Sequence, residues 1–121
     1  REKIYNDNLK LAEDGRILEN CARTVTTKQD RNPNSGIVAY RNNQLTSWNH
    51  HYRNLTPREC FLLMGFDEED FNALKRNNFS VRKGGRMLSD AKLIRLAGNS
   101  IVVPVLEALF RQVEDLNELI G

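Results

Sequence analysis

The sequence has little of what several classes of protein require. Only two of its 121 residues are cysteines, Cys21 and Cys60, and they form neither a disulfide framework nor a metal-binding spacing. This cysteine usage predicts a reducing compartment, the cytoplasm. No apolar run approaches the roughly 18 residues that a membrane-spanning helix needs, and no signal peptide is visible, so we expect no membrane partner. The length suits one domain with a modest core.

Candidates for metal binding and for nucleophilic catalysis are equally scarce. The adjacent His50 and His51 have no third or fourth ligand at a suitable spacing, so the sequence predicts no metal site. Phosphate contact or plain surface exposure suits these histidines better. Cys60 falls within an apolar helix face and Cys21 follows Asn20, which are the surroundings of inert thiols. We therefore expect no catalytic residue in this chain.

Charge is small in total but unevenly distributed. The net charge is +2, yet the segments 22–58 and 75–95 each contain one acidic residue among six or seven basic ones. Clustered positive charge of this kind is what neutralisation of nucleic-acid phosphates requires. A solvated mixed surface is the other interpretation that these runs allow.

A short helix is sharply bounded in the middle of the chain. Thr56 is a good N-cap, Pro57 takes the first helical position, and Glu59 follows three residues after the cap, which together predict a capping box. Cys60 and the apolar residues after it supply a buried face. Gly65 is placed to end the helix in a left-handed conformation.

This helix lies in the first of two stretches, Arg53-Asn-Leu-Thr-Pro-Arg-Glu-Cys-Phe-Leu-Leu-Met-Gly-Phe66 and Ala97-Gly-Asn-Ser-Ile-Val-Val-Pro-Val-Leu106. In this order they resemble the last two conserved motifs of DNA (cytosine-5) methyltransferases, and the resemblance extends from about Ala22 to the C-terminus. It implies the C-terminal part of such an enzyme. Residues 22–97 would form the target-recognition domain and 98–121 the helix that returns to the cofactor-binding domain, with 1–21 as a less readable N-terminal part.

The expected fold is α+β, a fragment of a larger α/β methyltransferase. The alternating, β-branched segment 22–28 predicts a strand, and the polar loop 29–36 follows it. Two more strands are predicted at Ile37–Tyr40 and Gln44–Trp48, which completes a small antiparallel sheet. Residues 1–20 leave two interpretations open, a hairpin at the Asp14-Gly15 turn or a helix before it.

Short helices and a long amphipathic helix are expected after the sheet. Acidic residues begin a helix over about 67–76, and Ser89 caps another over 90–97 that Gly98 closes. The last helix is predicted from about Ser100, with Pro104 tolerated in its first turn. Its apolar stripe is long, so we expect it to pack against a larger body.

The loop after residue 28 carries side chains that can read DNA. Gln and Asn pair with adenine, and Arg and Lys pair with guanine. Taken alone, the composition favours a structural turn whose side chains satisfy their own backbone. The resemblance favours DNA recognition instead, with Thr26 near the site of the flipped base. The DNA-binding residues predicted on this basis are Thr26, Lys28, Gln29, Arg31, Asn32, Asn34 and Arg58, of which Arg58 is equally suited to pairing with an acid.

The second motif implies a cofactor contact. The resemblance places Asn99, Ser100 and Ile101 in the wall of the S-adenosylmethionine pocket, of which this chain would supply only a part. The residues alone indicate a polar site at a helix N-terminus, or more simply a glycine stop followed by a serine cap.

Three motifs of the family are not in this sequence, namely the Pro-Cys loop, the Glu-Asn-Val segment and the Phe-x-Gly-x-Gly turn. The resemblance therefore implies a prokaryotic or phage enzyme part that is inactive alone. Its expected partners are double-stranded DNA and a catalytic N-terminal half or separate subunit, and the first residue, Arg1 rather than Met, agrees with that expectation. Two alternatives remain, a non-catalytic DNA-binding module and a fragment that dimerises through 100–120.

Overall fold

The computed structural model describes residues 2–39, 52–81 and 84–121. A small antiparallel sheet is combined with five helices in this part of the chain, which agrees with the predicted α+β class. Val38 lies opposite Arg53 in the sheet, and Ala39 lies opposite Tyr52. The elements are α1 (Glu2–Glu13), β1 (Val38–Ala39), β2 (Tyr52–Arg53), α2 (Pro57–Leu63), α3 (Glu68–Arg76), α4 (Asp90–Asn99) and α5 (Val103–Ile120).

The predicted strand over residues 22–28 is wrong. The segment is irregular up to Thr26 and then turns, and the Arg23 amide bonds to the Ser35 carbonyl as an isolated contact at 3.2 Å. A β-branched segment becomes a strand only where another strand lies beside it, and this one lies against the end of α4 instead.

The predicted strand Ile37–Tyr40 is found as β1, whereas the predicted strand Gln44–Trp48 falls outside the described residues, as do His50 and His51. The observed partner of β1 is β2, which the alternation pattern did not identify. Of the two interpretations of residues 1–20, the structure has the helix. α1 ends at the Asp14-Gly15 turn, where Gly15 has a φ of +70°.

Both central helices begin as the sequence predicts. Thr56 and Glu59 form the complete capping box of α2, and Gly65 follows it with a φ of +86°. α3 begins with a second capping box, between Asp67 and Asp70. These signals are local, because every partner lies within three residues of the cap.

The boundaries of the last two helices differ from those predicted. α4 continues through Gly98 to Asn99, and Ser100 is its C-cap. The last helix therefore begins at Val103 rather than near Ser100, and Pro104 lies in its first turn as expected. The extended backbone of Ser100, with a ψ of 164°, separates the two helices. Residues 98–100 thus lie at a helix C-terminus and not at the helix N-terminus that the sequence indicated.

The core lies between α2, α3, α4 and the irregular segment before the polar loop. Phe61 is packed against Phe66 and Phe71, with ring centroids 5.4 and 5.5 Å apart. The buried apolar residues of this core are Val25, Leu55, Cys60, Phe61, Met64, Phe71, Leu93, Ile94 and Ala97. No residue of α5 is buried.

By length and composition alone, the segment Asp90–Ile120 contains one stretch apolar enough to cross a membrane. The helical structure of that segment is interrupted between Asn99 and Val103. α5 by itself carries five charged residues, Glu107, Arg111, Glu114, Asp115 and Glu118. These two features favour an amphipathic helix over one that spans a bilayer.

Candidate nucleic-acid interface

The polar loop is a compact turn fixed by its own main chain. The Lys28 carbonyl accepts hydrogen bonds from the amides of Arg31 and Asn32, at 2.9 and 2.7 Å. The Gln29 amide donates to the Thr26 carbonyl at 3.2 Å, and the Gly36 amide donates to the Pro33 carbonyl at 3.1 Å. The loop is therefore folded on itself rather than extended from the surface.

Gln29 closes the loop from the inside. Its side chain is fully buried, with 0% of the residue exposed. Oε1 accepts from the Ser35 amide at 3.1 Å, and Nε2 donates to the Gly36 carbonyl at 3.4 Å. Both ends of the side-chain amide are occupied, so Gln29 has the structural part that the residues alone favoured. It presents no free hydrogen-bonding edge to a base.

Two further amides tie the loop to its surroundings. Asn34 Nδ2 donates to the Thr24 carbonyl at 2.9 Å, which joins the end of the loop to the segment before it. Asn54 Nδ2 donates to the Asp30 carbonyl at 3.3 Å, which joins the loop to the residues just before α2. Asn54 is not among the predicted residues, because its partner lies 24 residues away and no local pattern indicates the contact.

The remaining predicted loop residues lie on the outside. The side chains of Lys28, Arg31 and Asn32 are exposed, and Arg31 Nε lies 3.9 Å from an Asp30 carboxylate oxygen. Thr26 is half-buried, and its Oγ1 accepts from the Lys28 amide at 3.4 Å. The structure thus brings two cations and one amide together on one exposed turn.

Arg58 is engaged by residues of α3, and none of its hydrogen bonds or ion pairs within the described part of the chain reaches this turn. Its guanidinium bonds to the Glu68 carboxylate and to Asn72 Oδ1, and it stacks 5.2 Å from the centre of the Phe71 ring. These contacts tie α2 to α3. Of the two interpretations of Arg58, the structure supports pairing with an acid.

A second ion pair lies at the start of α2. Two Arg53 nitrogens bond to the two Glu59 carboxylate oxygens, each at 2.8 Å. The hydrogen bond from Arg53 lowers the pKa of Glu59 from 4.5 to about 2, against the opposing effect of burial. Burial raises the pKa of the neighbouring Cys60 thiol to about 11, so Cys60 is a protonated core residue at neutral pH.

Gly98 brings the segment before the loop into contact with α4. A Cβ at this position would lie 2.4 Å from both the Thr26 carbonyl carbon and the Thr27 nitrogen. Only glycine permits that approach, which places Thr26 beside the proposed cofactor-binding residues. A glycine within a helix is a sequence signal for close backbone approach, and here it marks the contact.

An open cleft of about 360 Å³ lies next to this contact. Arg23 and Thr24 line one side of it, and Met64, Gly98 and Ser100 line the other. Ser100 Oγ donates to the Ala97 carbonyl at 2.7 Å. Asn99 and Ile101 are exposed and do not line this cleft. Among the described residues, no three His, Cys, Asp or Glu side chains gather into a metal-binding group.

Comparison with known proteins places the chain in a family. Residues 2–115 match the family model described as C-5 cytosine-specific DNA methylase. The chain is 43% identical over 60 residues to an orphan methyltransferase of Bacillus phage rho11s, a match that covers 50% of this chain and 10% of that protein. It is 40% identical over 60 residues to a type II methyltransferase of Lactococcus lactis subsp. cremoris, covering 50% of this chain and 14% of the relative.

The chain therefore matches between 10% and 14% of the length of these curated relatives, which come from a phage and a bacterium. The family model, in contrast, extends over almost all of the chain. On that match, this protein belongs to the C-5 cytosine-specific DNA methylase family.

Proposed function

We propose that this chain is the DNA-recognition and C-terminal segment of an enzyme that transfers a methyl group from S-adenosylmethionine to carbon 5 of cytosine in a specific duplex site. Residues 22–97 contribute the recognition domain and 98–121 contribute the helix that returns to the catalytic body, in the cytoplasm of a bacterium or phage-infected cell. The partners are double-stranded DNA and a catalytic half.

One structural observation carries the proposal. The two motif stretches, which are more than 30 residues apart in the sequence, meet in space. The Val103 amide donates to the Met64 carbonyl at 2.9 Å, and a Cβ on Gly65 would lie 2.3 Å from Pro104 Cδ. Both stretches line the same cleft as Arg23 and Thr24, which lead into the exposed turn. With the proposed roles, the DNA-reading turn and the cofactor-facing segment would share one support.

The cleft suits the edge of a cofactor pocket. It is open, and the residues that line it combine apolar side chains with the polar Arg23, Thr24 and Ser100. Ser100 lines the cleft and would contact the cofactor directly, whereas the proposed contacts of Asn99 and Ile101 would lie outside it. S-adenosylmethionine supplies the electrophilic methyl group when it is bound. This chain would hold only one side of it, because a cleft of 360 Å³ is open to solvent on the other.

Methylation also requires a nucleophile that this chain does not supply. Methyltransferases flip the base out of the duplex, and the attacking group must be an activated thiolate. Cys60 is buried, its pKa is raised to about 11, and it lies among apolar side chains. We therefore expect no methyl transfer by the chain alone.

The test is transfer of labelled methyl from S-adenosylmethionine to mixed-sequence duplex DNA. The chain is assayed alone and then with a separately expressed N-terminal half of the same enzyme. Activity in the mixture only is the expected result, and sequencing of the product gives the methylated site. Activity of the chain alone would contradict the assignment of the cysteines. Salt-sensitive DNA binding without activity in either sample would favour a non-catalytic DNA-binding module.

A further inference from the structure

Within the recognition function proposed above, on which this inference rests, we infer that Gln29 is a positioning residue. It holds the turn 28–32 in shape so that Lys28, Arg31 and Asn32 face the DNA. Base discrimination then belongs to these three exposed side chains. Gln29 and Asn34, although their amides have the right chemistry to read adenine, act on the DNA only through the turn.

Gln29 is buried, and its burial limits what its side-chain amide can contact. A buried side-chain amide is stable only when its polar atoms are hydrogen-bonded. Gln29 meets this requirement through Ser35 and Gly36, at the far end of the loop. Contact with a base edge would break both bonds and leave two main-chain groups unpaired in the interior. The same amide cannot hold the loop and read a base.

The side-chain hydrogen bonds of Gln29 enclose the exposed part of the loop. They join residue 29 to residues 35 and 36, so Asp30, Arg31 and Asn32 all lie in the segment that the amide closes. Lys28 precedes the clamp directly, and its carbonyl receives the Arg31 and Asn32 amides. The Asn34 and Asn54 bonds hold the outer edges of the same segment. The main-chain bonds fold the turn, and the buried Gln29 side chain ties that turn to residues 35 and 36, so the geometry of the three exposed side chains depends on both.

The chemistry of the exposed side chains determines what they can pair with. An arginine can pair with both guanine acceptors in the major groove, an asparagine can pair with adenine, and a lysine can contact guanine or phosphate. Bidentate pairing with a base depends on angle as well as distance, so a loosened turn discriminates less well between bases while it keeps its charge. Phosphate attraction depends on charge number and changes little when the turn loosens.

The chain offers a matched control for this clamp. Asn78 is also a buried side-chain amide with two main-chain bonds, since Nδ2 donates to the Leu88 carbonyl and Oδ1 accepts from the Leu88 amide, both at 2.8 Å. It joins residue 78 to residue 88, away from the recognition turn. Gln29→Met and Asn78→Leu therefore remove comparable bonds at two different places.

The experiment measures kcat/KM for methylation of the preferred duplex and of its single-base variants, with the chain paired with its catalytic half. Rates are normalised to folded protein, and DNA binding is measured at several salt concentrations. Gln29→Met is expected to reduce the ratio of kcat/KM for the preferred duplex to that for a single-base variant by about tenfold, which is the effect of losing one well-oriented side-chain contact to a base. The salt dependence of DNA binding should stay unchanged. Asn78→Leu is expected to keep wild-type discrimination. If Arg31 contacts a base, Arg31→Ala should reduce discrimination at one base pair of the site. If it contacts a phosphate, the variant should lower the slope of log K for DNA binding against log salt concentration by about one.

If Gln29→Met does not fold, Asn34→Ala replaces it, because Asn34 makes the single side-chain bond to Thr24 and is half-buried. The expected loss of discrimination is then about threefold, at a wild-type salt slope. Wild-type discrimination in the tested loop variant, with activity retained, overturns the inference. A wild-type pair that methylates no duplex overturns the proposed function instead, and the two failures are thus distinguishable.

Discussion

α4 and α5 have the same kind of sequence and opposite surroundings. Both are amphipathic, and both place apolar residues at helical spacing. α4 is capped by Ser89 and buries Leu93, Ile94 and Ala97. α5 has no side-chain cap and buries nothing, and Leu109 and Phe110 on it are 54% and 61% exposed. Periodicity therefore shows which face of a helix is apolar, and the surroundings decide whether that face is covered.

The difference between α4 and α5 also separates a face that stabilises the folded chain from a face that is available to a partner. The face of α4 contributes to the folding of this chain, because its side chains leave water when the chain folds. The face of α5 contributes little of that kind here, because no residue of α5 is fully buried. A strip of exposed apolar side chains of this length is typical of a surface made for a partner. Under the proposed function that partner is the catalytic body of the enzyme.

The largest effect is expected on the α4 side of the comparison. Leu93 is 5% exposed within the core, so Leu93→Ala should destabilise the chain by about 2–5 kcal/mol, through lost burial and the cavity it leaves. Urea unfolding followed by circular dichroism measures the change. A loss below about 1 kcal/mol would mean that the face of α4 is no better covered than that of α5.

The next largest effect is expected at Gly98, near the end of α4, where the helix packs closely against Thr26 and Thr27. Gly98→Ala places a Cβ 2.4 Å from main-chain atoms of Thr26 and Thr27, so one of the two segments must move. The expected loss is about 1–3 kcal/mol, although alanine favours a helix more than glycine does. Gly85→Ala is the control, since its Cβ would meet no atom closer than 3.8 Å. A stabilised Gly98→Ala variant would contradict the close approach.

A pH-dependent effect is expected in the packed region, from the Arg53–Glu59 pair. The pKa of Glu59 is lowered in the folded chain from 4.5 to about 2, so its stabilisation is complete above pH 4.5 and is lost as the pH falls toward 2. Glu59→Gln keeps an acceptor for the Thr56 amide and removes the charge. We expect a loss of about 1–2 kcal/mol at neutral pH, reduced because the pair is partly exposed to solvent.

The measurement for Glu59→Gln is urea unfolding of the variant and the wild type at a series of pH values. The difference between the two proteins should shrink as the pH falls from 4.5 toward 2. A difference that stays constant through this range would show that the carboxylate charge contributes nothing to stability.

Local signals predicted much of this fold, and contacts between distant residues account for what they missed. The caps of α2 and α3 were predictable because Thr56 and Asp67 bond to residues three positions away. The strand over 22–28 was predicted wrongly because alternation cannot supply a neighbouring strand. Burial of Gln29 depends on how the loop closes, which its composition does not specify. The close approach of Thr26 to Gly98 joins residues that are more than 70 positions apart in the sequence, so no local pattern predicts that pairing.

The smallest effect on stability is expected from a substitution in α5, Leu109→Ala, which is the counterpart of Leu93→Ala in α4. Leu109→Ala makes the same truncation as Leu93→Ala, but Leu109 is 54% exposed, so the unfolding free energy of the chain should change by less than about 0.5 kcal/mol. The same variant should weaken restoration of methyl transfer when the catalytic half is added, because the truncated side chain is then part of a buried contact. A loss of several kcal/mol in the chain alone would show that α5 is covered without a partner. Either α5 then folds back on the chain or two chains associate. Only self-association makes the unfolding midpoint depend on protein concentration, so a concentration series distinguishes the two.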